Sequence, residues 1–208
     1  MDILTTNGHD TRRTGADTRQ RILALVVELF SSQGYAGTSI RDITVALGMT
    51  KASLYYYFES KEQILDAVTE PLRTEIDALV ERAATPPPPP RAQLLTDLVD
   101  VLSRHALLMT TVFNDPSAFK RDHHDHAKKT FRTIEALLAG SGSPEELLRS
   151  RCAMGAVQAG VLRTVASDPA RRQPLTSEQA ARLLDGKEHA LDEDLRRAVV
   201  AAALRTLG

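Results

Sequence analysis

The sequence predicts an all-α protein in which a small N-terminal helix-turn-helix domain precedes a larger helical domain. Apolar residues recur three and four positions apart in the segments between turns, and no segment alternates as a β-strand does. A glycine-containing turn at Gly48 separates two short helical patterns. The five prolines Pro86–Pro90 cannot continue a helix, so they mark a connection.

Composition narrows the class of protein. The 208 residues, 42% of them hydrophobic, suffice for one sizeable core and a satellite domain. A net charge of −1 argues against a protein that coats nucleic acid nonspecifically. No apolar run reaches the ~20 residues that cross a bilayer, and no signal peptide opens the chain. We therefore expect a cytoplasmic protein without membrane contact, in which the lone Cys152 is a buried helix residue.

The N-terminus is predicted to hold a tail and then a helix. Residues 1–16 are polar without apolar periodicity, which is typical of a flexible tail; the alternative is that their arginines contact phosphate. A helix is expected from Asp17 to a stop near Gly34. Its apolar face comprises Ile22, Val26, Leu29 and Phe30.

Capping residues define the next two helices. Thr38 and Ser39 offer hydroxyl caps to a helix whose inward positions are predicted to be Ile40, Ile43, Ala46 and Leu47. Gly48 supplies the residue that takes a positive φ where that helix ends. Thr50 caps a helix over residues 51–57 that buries Leu54 and Phe58.

The second of these helices is the candidate DNA reader, because a protruding helix fits the major groove, where base edges are distinguishable. Candidate contacts to bases or phosphates on it are Thr50, Lys51, Ala52, Ser53, Tyr55 and Tyr56. Ser39 and Arg41 extend the surface from the preceding helix. Core packing is the alternative for three successive tyrosines, and we expect it for Tyr57 alone, because one thin helix cannot bury all three.

Residues 34–65 resemble the N-terminal domain of the tetracycline-repressor (TetR) family of bacterial transcriptional regulators. The resemblance covers roughly the first third of the chain and agrees in order, spacing and residue type. The chain departs from the pattern at Thr44 and Leu47, where the family often has alanine, and at Ala52, where it often has glycine. The matching residues are Gly34-Tyr35, Thr38 to Ile43, Leu47-Gly48-Met49, Leu54 to Phe58 and Ser60-Lys61-Glu62.

The resemblance implies a domain division and a function. It places the DNA-binding domain at residues 17–62 and a regulatory and dimerisation domain at residues 63–208, linked by a fourth helix that Pro71 should bend or interrupt. Tyr55 and Tyr56 would lie against the DNA backbone or thymine methyls, and Lys61, at the start of the fourth helix, would hold a phosphate with its NH groups. The implied partners are a double-stranded DNA operator, a second copy of the chain and an unidentified small-molecule effector.

Beyond the prolines only helices are expected. They are predicted over residues 91–113, about 117–139, 144–166, 177–184 and about 191–207. The resemblance makes the last two long helices a dimer interface, and small residues there would let helix axes approach closely. Those residues are Gly155, Ala156, Ala159, Gly160, Ala198, Ala201 and Ala202, and intramolecular packing is the alternative for them.

The resemblance also implies a ligand cavity in this domain. Its predicted lining combines flexible apolar side chains with a few polar ones, a mixture that any helical core would also contain. The predicted residues are Leu98, Leu102, His105, Met109, Phe113, Phe131, Met154, Val157, Gln158 and Val161.

Metal binding and catalysis are the other functions on which the residues and motifs of the sequence bear. The pair His123 and His126 has the spacing of a metal site on a helix, but a solvated face is favoured for this polar run and we predict no metal or cofactor. The sequence has no glycine-rich phosphate loop, nucleophile elbow or other catalytic spacing, so we predict that the protein is not an enzyme. The leading interpretation is a repressor released from a palindromic operator by a small apolar ligand. The alternative is a DNA-tethered module that binds a protein.

Overall fold

The computed structural model describes residues 10–113, 121–168, 173–186 and 190–208, and within them the fold is all-α, as predicted. The N-terminal part comprises α1 (Asp10–Gly37), α2 (Ile40–Leu47), α3 (Lys51–Tyr57) and the start of α4 (Lys61–Ala84). The helices of the larger domain are α5 (Arg91–Phe113), α6 (Arg121–Ala139), α7 (Pro144–Gln158), α8 (Thr164–Ser167), α9 (Ser177–Leu184) and α10 (Glu193–Leu207), with a π-helical turn at Ala159–Arg163 between α7 and α8.

Helix α1 differs from its predicted bounds. It begins at Asp10, seven residues before the expected start, so the prediction of a tail through residue 16 is wrong over residues 10–16. The first nine residues, and the side chains through residue 14, lie outside the described part. Gly34 interrupts the helix with φ 74° and ψ 166°, a conformation that glycine adopts without steric cost, and it falls where the stop was predicted.

Two apolar cores meet along α4. The first, which we call the reader core, joins α1, α2 and α3 to the opening turns of α4 and ends there at Val68. The second, the regulatory core, begins on the same helix at Leu72. Pro71 lies between the two, and the helix continues through it. The boundary between the two apolar cores therefore lies near Pro71.

A polar cluster ties α4 to α5 just beyond this boundary. Glu75 accepts hydrogen bonds from Arg104 Nε at 3.1 Å and Nη2 at 2.6 Å, and its other oxygen lies 3.0 Å from His105 Nε2. Partial burial alone would raise the pKa of Glu75, but these hydrogen bonds outweigh it and hold the pKa below its usual value. The His105 side chain is 0% exposed, and its Nδ1 has no hydrogen-bond partner within the described structure.

Helices α7 and α10 pack against each other in the regulatory core. A Cβ added at Gly160 would lie 2.7 Å from Cγ2 of Val199, so only glycine fits at this crossing. Ala203 on α10 is also fully buried. The predicted close approach therefore occurs within one chain at these positions.

The side of α7 and α10 that faces away from the regulatory core is exposed to solvent in the single chain. Leu148 is 60% exposed, and Cys152 is exposed, so the expectation that Cys152 is buried is wrong for the isolated chain. The physical reason is that Cys152 lies on the side of α7 that turns away from the regulatory core. The exposed residues of this outer face are Leu148, Cys152, Gly155 and Ala159 on α7 and the adjoining turn, and Leu195, Ala198 and Ala201 on α10.

In the described part of the chain, no helix is long and apolar enough to cross a membrane.

Candidate nucleic-acid interface

Reciprocal caps hold α2 in place. The Ser39 hydroxyl accepts from the backbone N–H of Asp42 at 3.2 Å, and the Asp42 carboxylate accepts from the Ser39 backbone N–H at 2.8 Å. Hydrogen bonds from the Ser39 hydroxyl and backbone lower the pKa of Asp42. Gly48 ends the helix in the left-handed region with φ 64°, as predicted. The Ser39 hydroxyl therefore fixes the start of α2, and its predicted contact with DNA stays a prediction.

A second cap begins α3. Thr50 Oγ1 accepts from the backbone N–H of Ser53 at 3.1 Å and lies 2.9 Å from the Ser53 hydroxyl. Leu54 and Phe58 are buried in the reader core, as the sequence predicted. Anchoring by these two side chains leaves the remaining faces of this short helix to solvent.

The exposed side of α3 carries most of the predicted DNA contacts. Lys51, Ala52 and Ser53 are exposed, Tyr55 is 46% exposed and Tyr56 is 83% exposed. Tyr57 packs partly against the reader core, and its ring meets that of Tyr56 edge to face at 5.1 Å. The three tyrosines thus divide between solvent and core in the predicted way.

Helix α2 adds three more exposed side chains. Arg41 is exposed as predicted, whereas Ala46, which was expected to face inward, is exposed as well. Val45 is 72% exposed, and sequence analysis did not single it out. Helical spacing would have predicted the exposure of Val45, because it lies two residues after the buried Ile43 and therefore on another face of α2. An exposed valine beside the reader helix is suited to apolar contact with a thymine methyl group.

The Lys61 side chain contacts Tyr35, and its predicted contact with a phosphate stays a prediction. Its Nζ donates a short hydrogen bond to the Tyr35 carbonyl oxygen and lies 4.1 Å from the centroid of the Tyr35 ring. The ammonium group therefore joins the start of α4 to the turn between α1 and α2. Ser60 caps α4 by accepting from the backbone N–H of Gln63.

The positive charge of the candidate DNA-binding surface comes from a few side chains. Arg41 and Lys51 make no ion pair with any residue that the structure describes, although the chain as a whole carries a net charge of −1. Arg19 on α1 lies 4.9 Å from the centroid of the Phe58 ring, at the flank of the reader core. Two cations without an ion pair in the described structure and two exposed tyrosines therefore lie on the neighbouring helices α2 and α3, and such side chains are suited to phosphate and base-edge contacts.

The residues predicted to bind a ligand lie mainly in the regulatory core. Leu98, Leu102, His105, Met109, Met154, Val157 and Val161 are buried, and Phe131 and Gln158 are half-buried. The side chain of Phe113 lies outside the described part, as do those of His123 and His126. The described residues do not include a group of three or more side chains able to hold a metal ion.

An open surface groove of about 610 Å³ lies along α6. Its described lining is Lys128, Lys129, Arg132, Thr133 and Ala136, and the predicted ligand residues that the structure describes are not among them. No described carboxylate lies within ion-pair distance of these three cations. Several other arginines of the regulatory domain are paired, among them Arg104 with Glu75 and Arg151 with Glu135.

Comparison with known proteins agrees with this geometry. The family model described as "Bacterial regulatory proteins, tetR family" matches residues 22–68, which span α1 to the opening of α4. The chain is 32% identical over 111 residues to the transcriptional regulator AcrR of Shigella flexneri, a match that covers 50% of this chain and 52% of the relative. It is 37% identical over 73 residues to the transcriptional repressor KstR2 of Mycolicibacterium smegmatis, covering 35% of this chain and 34% of the relative. The chain thus spans about half or less of the curated relatives it matches.

Solved structures show the same fold. A transcriptional regulator from Aquifex aeolicus superposes with a TM-score of 0.56 at 22% identity, covering 81% of this chain and 96% of that one. The TetR family regulator PfmR from Thermus thermophilus gives a TM-score of 0.54 at 22% identity, covering 81% and 100%. The capped α2 and α3 pair lies within residues 22–68, the segment that is similar to the TetR family of bacterial regulatory proteins, and the chain shares its all-α fold with these solved structures.

Proposed function

We propose that the protein is a dimeric, sequence-specific DNA-binding transcriptional repressor that a small molecule releases from a palindromic operator. The observation that carries this proposal is the exposure of Lys51, Ser53, Tyr55 and Tyr56 on a helix whose other side is anchored by Leu54. A rigid helix with polar and aromatic groups on its free side is what major-groove readout requires. Relatives named as repressors, such as KstR2, support repression as the direction of regulation.

A selection experiment tests DNA binding. Random duplexes bound by the purified chain are sequenced, and we expect a two-fold symmetric consensus. Lys51→Ala and Ser53→Ala should then change the base preference within each half-site, since side chains at the start of a reader helix contact base edges. Gln93→Ala, an exposed position on α5, is the control and should leave the consensus unchanged. Enrichment of no sequence by the wild-type chain would refute the proposal.

The outer face of α7 and α10 supports the dimer. It places Gly155, Ala159 and Ala198 in solvent beside the apolar Leu148 and Leu195, and small side chains let two such faces approach closely. Two-fold pairing there gives the dimer two reader helices. A palindromic operator requires two, because the centres of its half-sites lie about 34–36 Å apart. A single copy of α3 offers few base contacts.

Sedimentation of two matched variants tests the interface. Ala159→Arg puts a charge in the middle of the outer face, and we expect it to convert a micromolar dimer into a monomer. Ala92→Arg makes the same exchange at an exposed site on α5 and should leave the dimer intact. A wild-type chain that sediments as a monomer would contradict this part of the proposal.

For the effector we propose an amphiphilic acid. The cations Lys128, Lys129 and Arg132 along the α6 groove suit an acidic group, and the aliphatic parts of these side chains with Ala136 suit an apolar body. Ligand would favour a dimer whose reader helices are wrongly spaced for DNA.

Two ligands of equal chain length, one acidic and one neutral, distinguish the contribution of the acidic group to binding from that of the apolar chain. Decanoate should raise the melting temperature and release operator DNA more effectively than decanol, and Lys128→Ala with Arg132→Ala should remove that difference. Equal effects of the acid and the alcohol would exclude the acidic group. Co-purification of a protein partner, without stabilisation by any small molecule, would favour the alternative of a protein-binding module.

A further inference from the structure

Helix α9 lies against the reader domain although it is far from that domain in sequence. Its buried residues Ala180, Leu183 and Leu184, together with Leu175 just before it, belong to the reader core and not to the regulatory core. They pack with apolar residues of α1 and with Leu108 and Val112 of α5. A short segment of the C-terminal half thus completes the apolar core of the N-terminal domain.

Two polar contacts accompany this packing. The backbone N–H of Leu175 donates to the Ser31 hydroxyl at 2.9 Å, and the Ser177 hydroxyl donates a short hydrogen bond to the Glu28 carboxylate. The Ser31 hydroxyl in turn donates to the backbone carbonyl of Glu28 at 2.7 Å. Both contacts join the N-terminal end of α9 to the same two turns of α1.

The other end of α9 is attached to the regulatory domain. Gly186 follows the helix with φ 62°, and a Cβ there would lie 3.4 Å from Oε1 of Glu75 and 3.9 Å from Cε1 of His105. The chain then returns to α5, where the backbone N–H of Leu191 donates to the buried Ser103 hydroxyl at 3.1 Å. One end of α9 is therefore fixed to α1 and the other to α4 and α5.

We propose that α9 is a positioning element that fixes the angle between the reader domain and the dimer face. Because two reader helices must meet half-sites about one turn of DNA apart, a change in the angle of α1 changes the separation of the α3 helices. The α1 and α9 interface therefore sets the operator spacing that the dimer recognises, and its release lowers affinity for the whole operator without changing what one α3 reads. This inference rests on the proposed DNA-binding function.

Two kinds of variant weaken the interface. Ser31→Ala combined with Ser177→Ala removes both polar contacts while leaving the apolar packing in place. Ala180→Leu enlarges a side chain that has no exposed area and pushes α9 away from α1. The matched control is Arg182→Ala, which removes only the exposed pair of Arg182 with Glu178 on the outer side of α9.

Affinity is measured on two duplexes, the selected operator and the same duplex with one half-site scrambled. Both interface variants should lose about tenfold or more in affinity for the full operator, because simultaneous engagement of two linked sites multiplies affinity by at least such factors. Their affinity for the single half-site should stay within about twofold of the wild type, as should the control on both duplexes. Equal losses on the two duplexes, or no loss on either, would overturn the proposal.

A measurement without DNA separates this inference from the proposed function. Fluorophores at Gln20→Cys on α1 and Ala92→Cys on α5, in a Cys152→Ser chain mixed with excess unlabelled chain, report the distance between the two domains. The distribution should be narrow with wild-type α9 and broad in the interface variants. An unchanged distribution would refute the positioning role even if the protein binds its operator, whereas failure of the wild type to bind DNA refutes only the proposed function.

Discussion

Gly160 and Val199 are in direct contact, and this contact sets how closely α10 approaches the π-helical turn that follows α7. A Cβ at Gly160 would lie 2.7 Å from Cγ2 and 3.0 Å from Cγ1 of Val199. The branched valine side chain cannot swing away as the end of a long side chain does. Gly160 also lies in the π-helical turn that joins α7 to α8.

Gly160→Ala should therefore lower the free energy of unfolding by about 1–3 kcal/mol, the usual cost of overpacking a core. Urea denaturation of the purified chain measures this change. Gly155→Ala is the control, because a Cβ there meets nothing within 4 Å in the single chain. On the monomer it should be neutral or stabilise by roughly 0.5–1 kcal/mol, as alanine does in a helix. Equal effects of the two substitutions would contradict the contact.

Lys61→Ala should reduce stability as well as DNA affinity. The substitution removes the donor to the Tyr35 carbonyl and the cation above its ring, so we expect a loss of about 0.5–1.5 kcal/mol in the free energy of unfolding. If a phosphate contact is also lost, binding weakens uniformly across sequences and the slope of log affinity against log salt falls by about 0.9.

Lys51→Ala is the comparison for Lys61→Ala. It removes an exposed side chain without an ion pair in the described structure, so stability should stay within about 0.5 kcal/mol of the wild type while base preference changes. Thermal melts and binding isotherms on the same preparations distinguish the two lysines. A Lys61→Ala chain as stable as the wild type would argue against the role of Tyr35.

Glu75 gives the stability of the chain a specific pH dependence. Its folded-state pKa is lowered by the bonds from Arg104 and His105, so its carboxylate stabilises the fold at pH values above the unfolded pKa of about 4.3. That contribution is lost as the pH falls through the lower, folded-state pKa. The destabilisation caused by Glu75→Gln should therefore be largest near neutral pH and shrink in acid.

Denaturation at a series of pH values from 7 down to 3 measures this difference. Glu178→Gln is the control, since Glu178 and its partner Arg182 are both exposed and such pairs contribute little. A Glu75→Gln effect that stays constant over the whole series would show that the charge of Glu75 is not involved.

Tyr56→Ala should separate binding from folding. Because Tyr56 is 83% exposed, its removal should change the free energy of unfolding by less than about 0.5 kcal/mol, while affinity for the selected operator falls. Leu54→Ala on the same helix removes a fully buried side chain and should cost about 2–5 kcal/mol. Unchanged operator affinity in Tyr56→Ala would remove this tyrosine from the interface.

Local sequence signals predicted most helices and the side that each one buries. The bounds of α5 and α9 agree with the predictions, because Pro90 and Thr176 mark helix starts whose physical basis lies within a few residues. The caps at Ser39, Gly48 and Thr50 were predicted for the same reason. The exposed side of α3 followed from the spacing of Leu54 and Phe58 alone.

Only the tertiary structure decided which element covers each apolar face. Helical periodicity shows that α9 has a buried side, but packing placed that side on α1, where Leu175 meets Ser31 across 144 residues. Packing likewise brings the Lys61 side chain to the Tyr35 carbonyl oxygen, and it leaves Cys152 exposed on the outer face of α7. The sequence by itself determined the helices and the reader surface, because caps and periodicity act within a few residues. The choice of neighbours depends on the shape of the whole chain, which no local pattern contains.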